Sequence, residues 1–188
     1  MCQCTRCFPA VGGAQRENWL PAAGYPRPCY QIGLDGKSRT VLALGDKLHA
    51  FVTPGSWTEG YREARLYRAR IGTNVWQRAG WAFTKGTPYR LLTPGLLQAG
   101  RDHADLGGGY VYAYATRYAP SRPESDGHSV QRGPNGGEIM LLRAPRGGDL
   151  LSKAVWRLFA GLDGAGRPTW TADPARMRPV IVDRNGVG

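Results

Sequence analysis

Lysine is scarce in this chain. Of its 25 basic residues only Lys37, Lys47, Lys85 and Lys153 are lysines; the other 21 are arginines. The arginines are scattered, with no run among them. The net charge of +11 therefore lacks the clustering that marks a nucleic-acid-binding face, and no nucleic-acid partner is expected. Arg used with Ala, Gly and Pro in place of Lys is also what GC-rich codon usage produces. Cysteine is confined to Cys2, Cys4, Cys7 and Cys29. Their C-x-C-x-x-C spacing has no second cluster and no His pair to complete a zinc site, so no metal is expected. No stretch approaches the roughly 20 apolar residues that cross a bilayer, which excludes a helical membrane span. No basic start leads into an apolar segment, so no secretory signal is visible. Phosphate-binding loops, dinucleotide fingerprints and zinc-protease motifs are all missing, and no cofactor is expected.

What is present is globular. Hydrophobic residues make up 41% of the 188 positions and charged residues 21%, which argues against wholesale disorder. The 27 glycines and 14 prolines suggest many short elements joined by turns.

Residues 1–38 form an irregular segment rich in Pro, Gly and Cys. From Thr40 the pattern sharpens. Val41–Leu44 and Leu48–Val52 flank Gly45-Asp46-Lys47 and read as a hairpin. Ala64–Ile71 alternates, with Tyr67, Ala69 and Ile71 on one face and Leu66 and Arg68 on the other. Val75–Phe83 follows as a fourth strand. A second set then repeats the order: an apolar start at Leu96–Gln98, then Tyr110–Tyr118, Glu138–Ala144 and Ala154–Ala160. Tyr110, Tyr112 and Tyr114 share one face of their strand. Val111, Ala113 and Ala115 share the other, small enough to pack against a second sheet. Arg178–Val182 reads as the first strand of a third set.

Leu66-Tyr67-Arg68-Ala69 in the first set matches Leu141-Leu142-Arg143-Ala144 in the second. Two related four-strand units predict an all-β fold built of propeller blades, spaced by roughly 60–75 residues where about 40–50 is usual. Asp163-Gly164-Ala165-Gly166-Arg167-Pro168-Thr169-Trp170 resembles the Asp-box turn of sialidase-like propellers. In such a turn the Asp carboxylate holds the backbone and the Trp packs between strands, so Asp163 is expected to be structural. Residues 39–188 are thus expected to be a partial propeller, two to three of five blades, truncated at the C-terminus. Complete, it would be a monomer.

Several segments resemble one bacterial family, domain-of-unknown-function family 4185. They include Pro94-Gly95-Leu96-Leu97-Gln98-Ala99-Gly100-Arg101-Asp102, Gly109-Tyr110-Val111-Tyr112-Ala113-Tyr114 and Leu142-Arg143-Ala144-Pro145. Phe159-Ala160-Gly161-Leu162-Asp163, Pro168-Thr169-Trp170 and Pro179-Val180-Ile181-Val182-Asp183 continue it. The resemblance runs from about Leu42 to Gly188. It implies a five-bladed propeller similar to the endo-D-arabinanases of glycoside hydrolase family 183, exported from the cytoplasm, with polysaccharide as partner. Where members carry an acidic residue beside the Tyr-Val-Tyr strand, this chain has Gly107-Gly108-Gly109.

Glycoside hydrolysis uses two carboxylates across the scissile bond. Propeller sites lie near the innermost strand of each blade, here Leu96–His103. Asp102 is the first candidate, Asp105 the second and Glu138 the third. Gln98, Arg101 and His103 could hydrogen-bond sugar hydroxyls, and Arg143 could orient a carboxylate or serve its blade structurally. Asp102 also has a plain reading as a solvated turn residue, and Glu138 as the start of a strand after Gly136-Gly137. His49 and His128 have no evident partner in the sequence. The competing functions are a non-catalytic glycan-binding propeller and a protein-interaction propeller, both of which predict no convergent acids.

Overall fold

A computed structural model describes residues 38, 40–53, 63–73, 75–84, 86, 88–100, 103–104, 108–117 and 137–182. The four cysteines, His128, Arg101, Asp102 and Asp105 lie outside these residues. The described chain is all-β. Its eleven strands form two antiparallel sheets.

In the first sheet, β1 (Val41–Leu44), β2 (Lys47–Val52), β3 (Glu63–Arg70) and β4 (Trp76–Arg78) lie side by side in chain order, and β5 (Phe83–Thr84) also pairs with β3. Gly45 and Asp46 alone connect β1 to β2, so Lys47 is a strand residue paired with Leu44. Gly45 sits at φ +58°, a conformation that glycine reaches without a Cβ clash. Val75–Phe83, expected as one strand, is two. β4 pairs with Tyr67–Ala69, and β5 pairs with Glu63 and Ala64 at the other end of β3. Gly80 and Trp81 lie between them, and the ring of Trp81 packs into the core edge.

The second sheet has the order β10-β9-β8-β7-β6, with β6 (Leu91–Leu96), β7 (Tyr110–Arg117), β8 (Glu138–Pro145), β9 (Arg157–Leu162) and β10 (Pro168–Thr171). β6 begins five residues earlier than the sequence pattern placed it. Residues 97–100 lie past its end, not in it. Ala154 and Val155, expected in a strand, instead form a single 3₁₀ turn with Lys153 before β9. β11 (Pro179–Val182) corrects another expectation. It opens no third unit but pairs with Glu138–Met140 of β8, beside the short β8–β9 ladder at Leu142 and Arg143. In both sheets the third strand therefore takes two successive partners along one edge.

The sheets pack face to face on one core, a propeller-like arrangement. Leu42, Phe51, Ala64 and Leu66 from the first sheet meet Val111, Ala113, Ala115, Met140, Leu142 and Ala144 from the second. The small Val-Ala-Ala face of β7 packs as its pattern predicts. On β3 the outcome is mixed. Ala64 and Leu66 face this core, while Tyr67 turns to a smaller cluster with Ala50, Val52 and Trp76. Aromatic rings join the two sheets. Phe51 lies 5.7 Å from both Phe83 and Trp156, and Trp81 stands edge-on to Phe83 at 4.9 Å. The indole N–H of Trp81 donates to the Leu151 carbonyl at 2.7 Å, and that of Trp156 to Leu150 at 2.9 Å. Each large ring thus buries area without stranding its polar atom.

The Asp163 turn is built as the sequence predicts. Asp163 Oδ1 accepts from the backbone N–H groups of Ala165 and Arg167, and Oδ2 from Arg167 Nε, all at 2.9 Å. These donors hold its carboxyl below the usual carboxylate range, the Arg167 backbone N–H foremost. Trp170 packs beside Phe159 and Tyr112, with centroids at 5.9 and 6.2 Å.

Candidate functional site

A cleft of about 640 Å³ opens between the two sheets at one end. The first sheet contributes Asp46 from the β1–β2 turn, Lys47 and His49 from β2, and Arg68 from β3. The second contributes Gly109, just before β7, and the turn after β8 with Arg146, Gly147 and Gly148. Volumes of this order hold ligands in proteins generally.

Register explains why these residues meet. His49 pairs with Leu42 on one side and Arg68 on the other, so the histidine and the arginine lie abreast on neighbouring strands. Arg68 then reaches across to the second sheet. Its Nη1 lies 2.8 Å from Asp149 Oδ1, while Nη2 donates to Gln77 Oε1 at 2.8 Å. Asp149 Oδ1 also accepts from the Leu151 N–H at 3.2 Å. At the rim, Arg70 Nε sits 3.1 Å from Asp46 Oδ2. Both sides of that rim pair are largely exposed, so it contributes little to stability.

His49 is the unusual member. It is 3% exposed, and its Nδ1 is buried with no hydrogen-bond partner among the described residues. Burial, reinforced by the Arg68 and Lys47 cations, lowers its pKa from an ordinary 6.5 to about 4. At neutral pH it is an uncharged imidazole.

The residues singled out from sequence fall in three places. Gln98 and His103 lie near the cleft end. Gln98 Oε1 accepts from the Ala43 N–H at 2.8 Å, and its Nε2 donates to the Gly100 carbonyl at 2.7 Å, tying the segment after β6 to β1. His103 is buried at φ +60°, a strained backbone for a residue with a Cβ. Its ring holds that conformation in place. Nδ1 takes the Ala99 N–H at 3.3 Å, and Nε2 lies 3.1 Å from the Tyr110 carbonyl, which it reaches as the donor of the matching tautomer. Arg146, on the cleft wall, donates from Nη1 to the His103 carbonyl at 3.5 Å and from its backbone to Gly109 at 2.8 Å.

Arg143 lies elsewhere, on the outer face of β8. Its guanidinium is sandwiched between the rings of Tyr110 at 4.1 Å and Trp170 at 4.0 Å. It makes no ion pair among the described residues, so it packs an aromatic stack and orients no carboxylate there. Glu138 stands at the far end. Its Oε2 is 3.0 Å from Arg117 Nη1. Tyr110, which His103 touches, pairs with Pro145, seven residues along β8 from Glu138, or about 23 Å at strand rise. Glu138 is therefore not brought to the His103 end. Asp102, Asp105 and Arg101 are outside the described residues.

His49 and Arg68 were missed as site residues. The one signal was a histidine interrupting the apolar run Leu48–Val52; the partnership of Arg68 with Asp149, 81 positions apart, had none. Among the described residues no group of three His, Cys, Asp or Glu is placed to hold a metal, and no helix is long and apolar enough to cross a membrane. The chain matches no protein-family model and no curated protein.

Proposed function

We propose that the chain is a carbohydrate-active domain that holds a polysaccharide at the inter-sheet cleft and hydrolyses it with carboxylates that follow Gln98 in the sequence, Asp102 first and Asp105 second. The observation that carries the reading is the cleft itself. Its wall residue Arg146 reaches the carbonyl of His103, the residue next to Asp102, at 3.5 Å. A strained, doubly anchored histidine beside a candidate acid is the kind of investment found at functional sites. The resemblance to family 4185 supplies the substrate class, an arabinofuranose-containing polymer, and a location outside the cytoplasm. The acid would protonate the leaving oxygen while its partner carboxylate attacks or activates water.

A second reading, glycan binding without cleavage, is favoured by one observation. The only described candidate acid, Glu138, is matched by Arg117 and lies away from the cleft. One experiment separates the two. The purified chain is incubated with D-arabinan, L-arabinan and mannan, and reducing ends are counted beside retardation in gels carrying the same polymers. Release that disappears in Asp102→Asn supports hydrolysis. Retardation without release supports binding alone. Neither, from a chain that melts cooperatively, rejects a carbohydrate role.

A further inference from the structure

The outer face of the second sheet carries two arginines abreast. Arg143 of β8 and Arg157 of β9 are partners in their ladder, so both side chains rise from the same face. Side chains so paired start about 5 Å apart, where like charges repel. Arg157 turns its Nη1 to the backbone carbonyls of Ala154 and Trp156, at 2.6 and 2.9 Å. Arg143 has no such anchor among the described residues. Its guanidinium is held only by the Tyr110 and Trp170 rings on its two sides. No described carboxylate answers either charge. Asp46, Glu63, Glu138, Asp149 and Asp163 are each paired with another arginine. The remaining described acid, Asp173, caps the 3₁₀ turn at Pro174–Arg176 through the Ala175 N–H.

The Arg143 Nε gives a second, independent sign. It is buried and has no hydrogen-bond partner among the described residues. An unmet donor on a charged group costs more than one on a neutral group. The two rings cover the faces of the guanidinium, and Nε is covered too, so a ligand approaches in the plane, at the Nη edge. That edge is a fork matched to two oxygens of one carboxylate or phosphate. Ring stacking fixes its orientation in advance, which lowers the entropy lost on binding.

We infer that Arg143 is the centre of an oxyanion site on the outer face of the second sheet. Two oxygens of a carboxylate or phosphate group lie in the plane of its guanidinium, Tyr110 and Trp170 hold the fork, and Arg157 adds charge from the next strand. The site lies apart from the cleft and does not depend on the carbohydrate reading.

The test is calorimetric titration of the full chain with galacturonate, galactose and inorganic phosphate at constant ionic strength. Galacturonate, phosphate or both should bind saturably, and galactose should not. The tighter of the two oxyanions tells a carboxylate source from a phosphate source. Arg143→Lys keeps the charge and loses the fork, so it should weaken binding about tenfold. Arg143→Met should abolish binding. If the methionine variant does not melt cooperatively, the lysine variant alone decides. Gly147→Trp, which fills the cleft, should bind as wild type does. Saturable binding of neither oxyanion would overturn the site. So would binding of galactose as tight as that of galacturonate, or wild-type affinity in Arg143→Met. Wild-type affinity in Arg143→Lys would overturn the paired-oxygen geometry. Loss of binding in Gly147→Trp would move the anion into the cleft and overturn its placement on Arg143. Release from arabinan bears on none of these outcomes, so failure of the carbohydrate reading and failure of this site are told apart.

Discussion

Replacing His49 by leucine should flatten the acid side of the stability profile. In the folded chain His49 titrates near pH 4, against an ordinary 6.5, because burial and then Arg68 and Lys47 disfavour its charged form. Between those values the unfolded chain binds a proton that the folded chain refuses. Stability contributed by this group is therefore fully present above pH 6.5 and falls as the pH drops towards 4. The loss from pH 7.5 to 5.0 works out at about 2 kcal/mol, with a limit of about 3 kcal/mol below pH 4. Leucine fills a similar volume, carries no proton and leaves no orphaned nitrogen, so His49→Leu should be neutral or slightly stabilising at pH 7.5. The assay is urea unfolding followed by tryptophan fluorescence, on both proteins at both pH values. Carboxylates titrate in both and cancel in the comparison. Wild type should lose about 2 kcal/mol more than the variant. Equal losses would show that His49 is not held neutral by its surroundings and would refute the burial argument.

Other outcomes follow from particular contacts. Trp156→Ala should lower stability by about 3–5 kcal/mol in the same urea assay, since it empties the aromatic junction between the sheets and strands the Leu150 carbonyl. Asp163→Ala should lower the melting temperature at pH 5 by unlatching the β9–β10 turn. Its folded pKa is depressed, so the gap between the two proteins should persist down to about pH 3.8 and close below it, as wild type loses the charge through the lowered value. Arg143→Met should cost about 1 kcal/mol from the Tyr110–Arg143–Trp170 stack while leaving polysaccharide release unchanged.

Much of the fold was readable because strand period and turn chemistry are local. The Tyr/Val-Ala-Ala alternation of β7 put the small side into the core, and the Asp163 turn closed as its spacing implied. What was not readable depended on neighbours far along the chain. Arg178–Val182 looks like any first strand, and only the open edge of β8 beyond Leu142 makes it a partner of Glu138–Met140. Val75–Phe83 has a strand's composition, but Gly80 and the demand of Trp81 for the Leu151 carbonyl break it. The site shows the same division. Gln98 and His103 sit in a segment whose glycines and acids mark a loop. Arg143 carries the same local signature as Arg68, yet one lies in an aromatic sandwich and the other on the cleft wall, a difference set by Trp170 and Asp149.

If polysaccharide is held and cut in this cleft, filling the cleft should abolish release. Gly147 lies on its wall, exposed, and a Cβ built there meets no atom within 4 Å. Gly147→Trp should therefore block the cleft without disturbing the core. The decisive measurement is reducing-end release from D-arabinan by wild type and by this variant, each shown to melt at the same temperature. Wild type should release reducing ends and Gly147→Trp should not. Undiminished release by the variant would contradict it, because the chemistry would then take place away from the cleft.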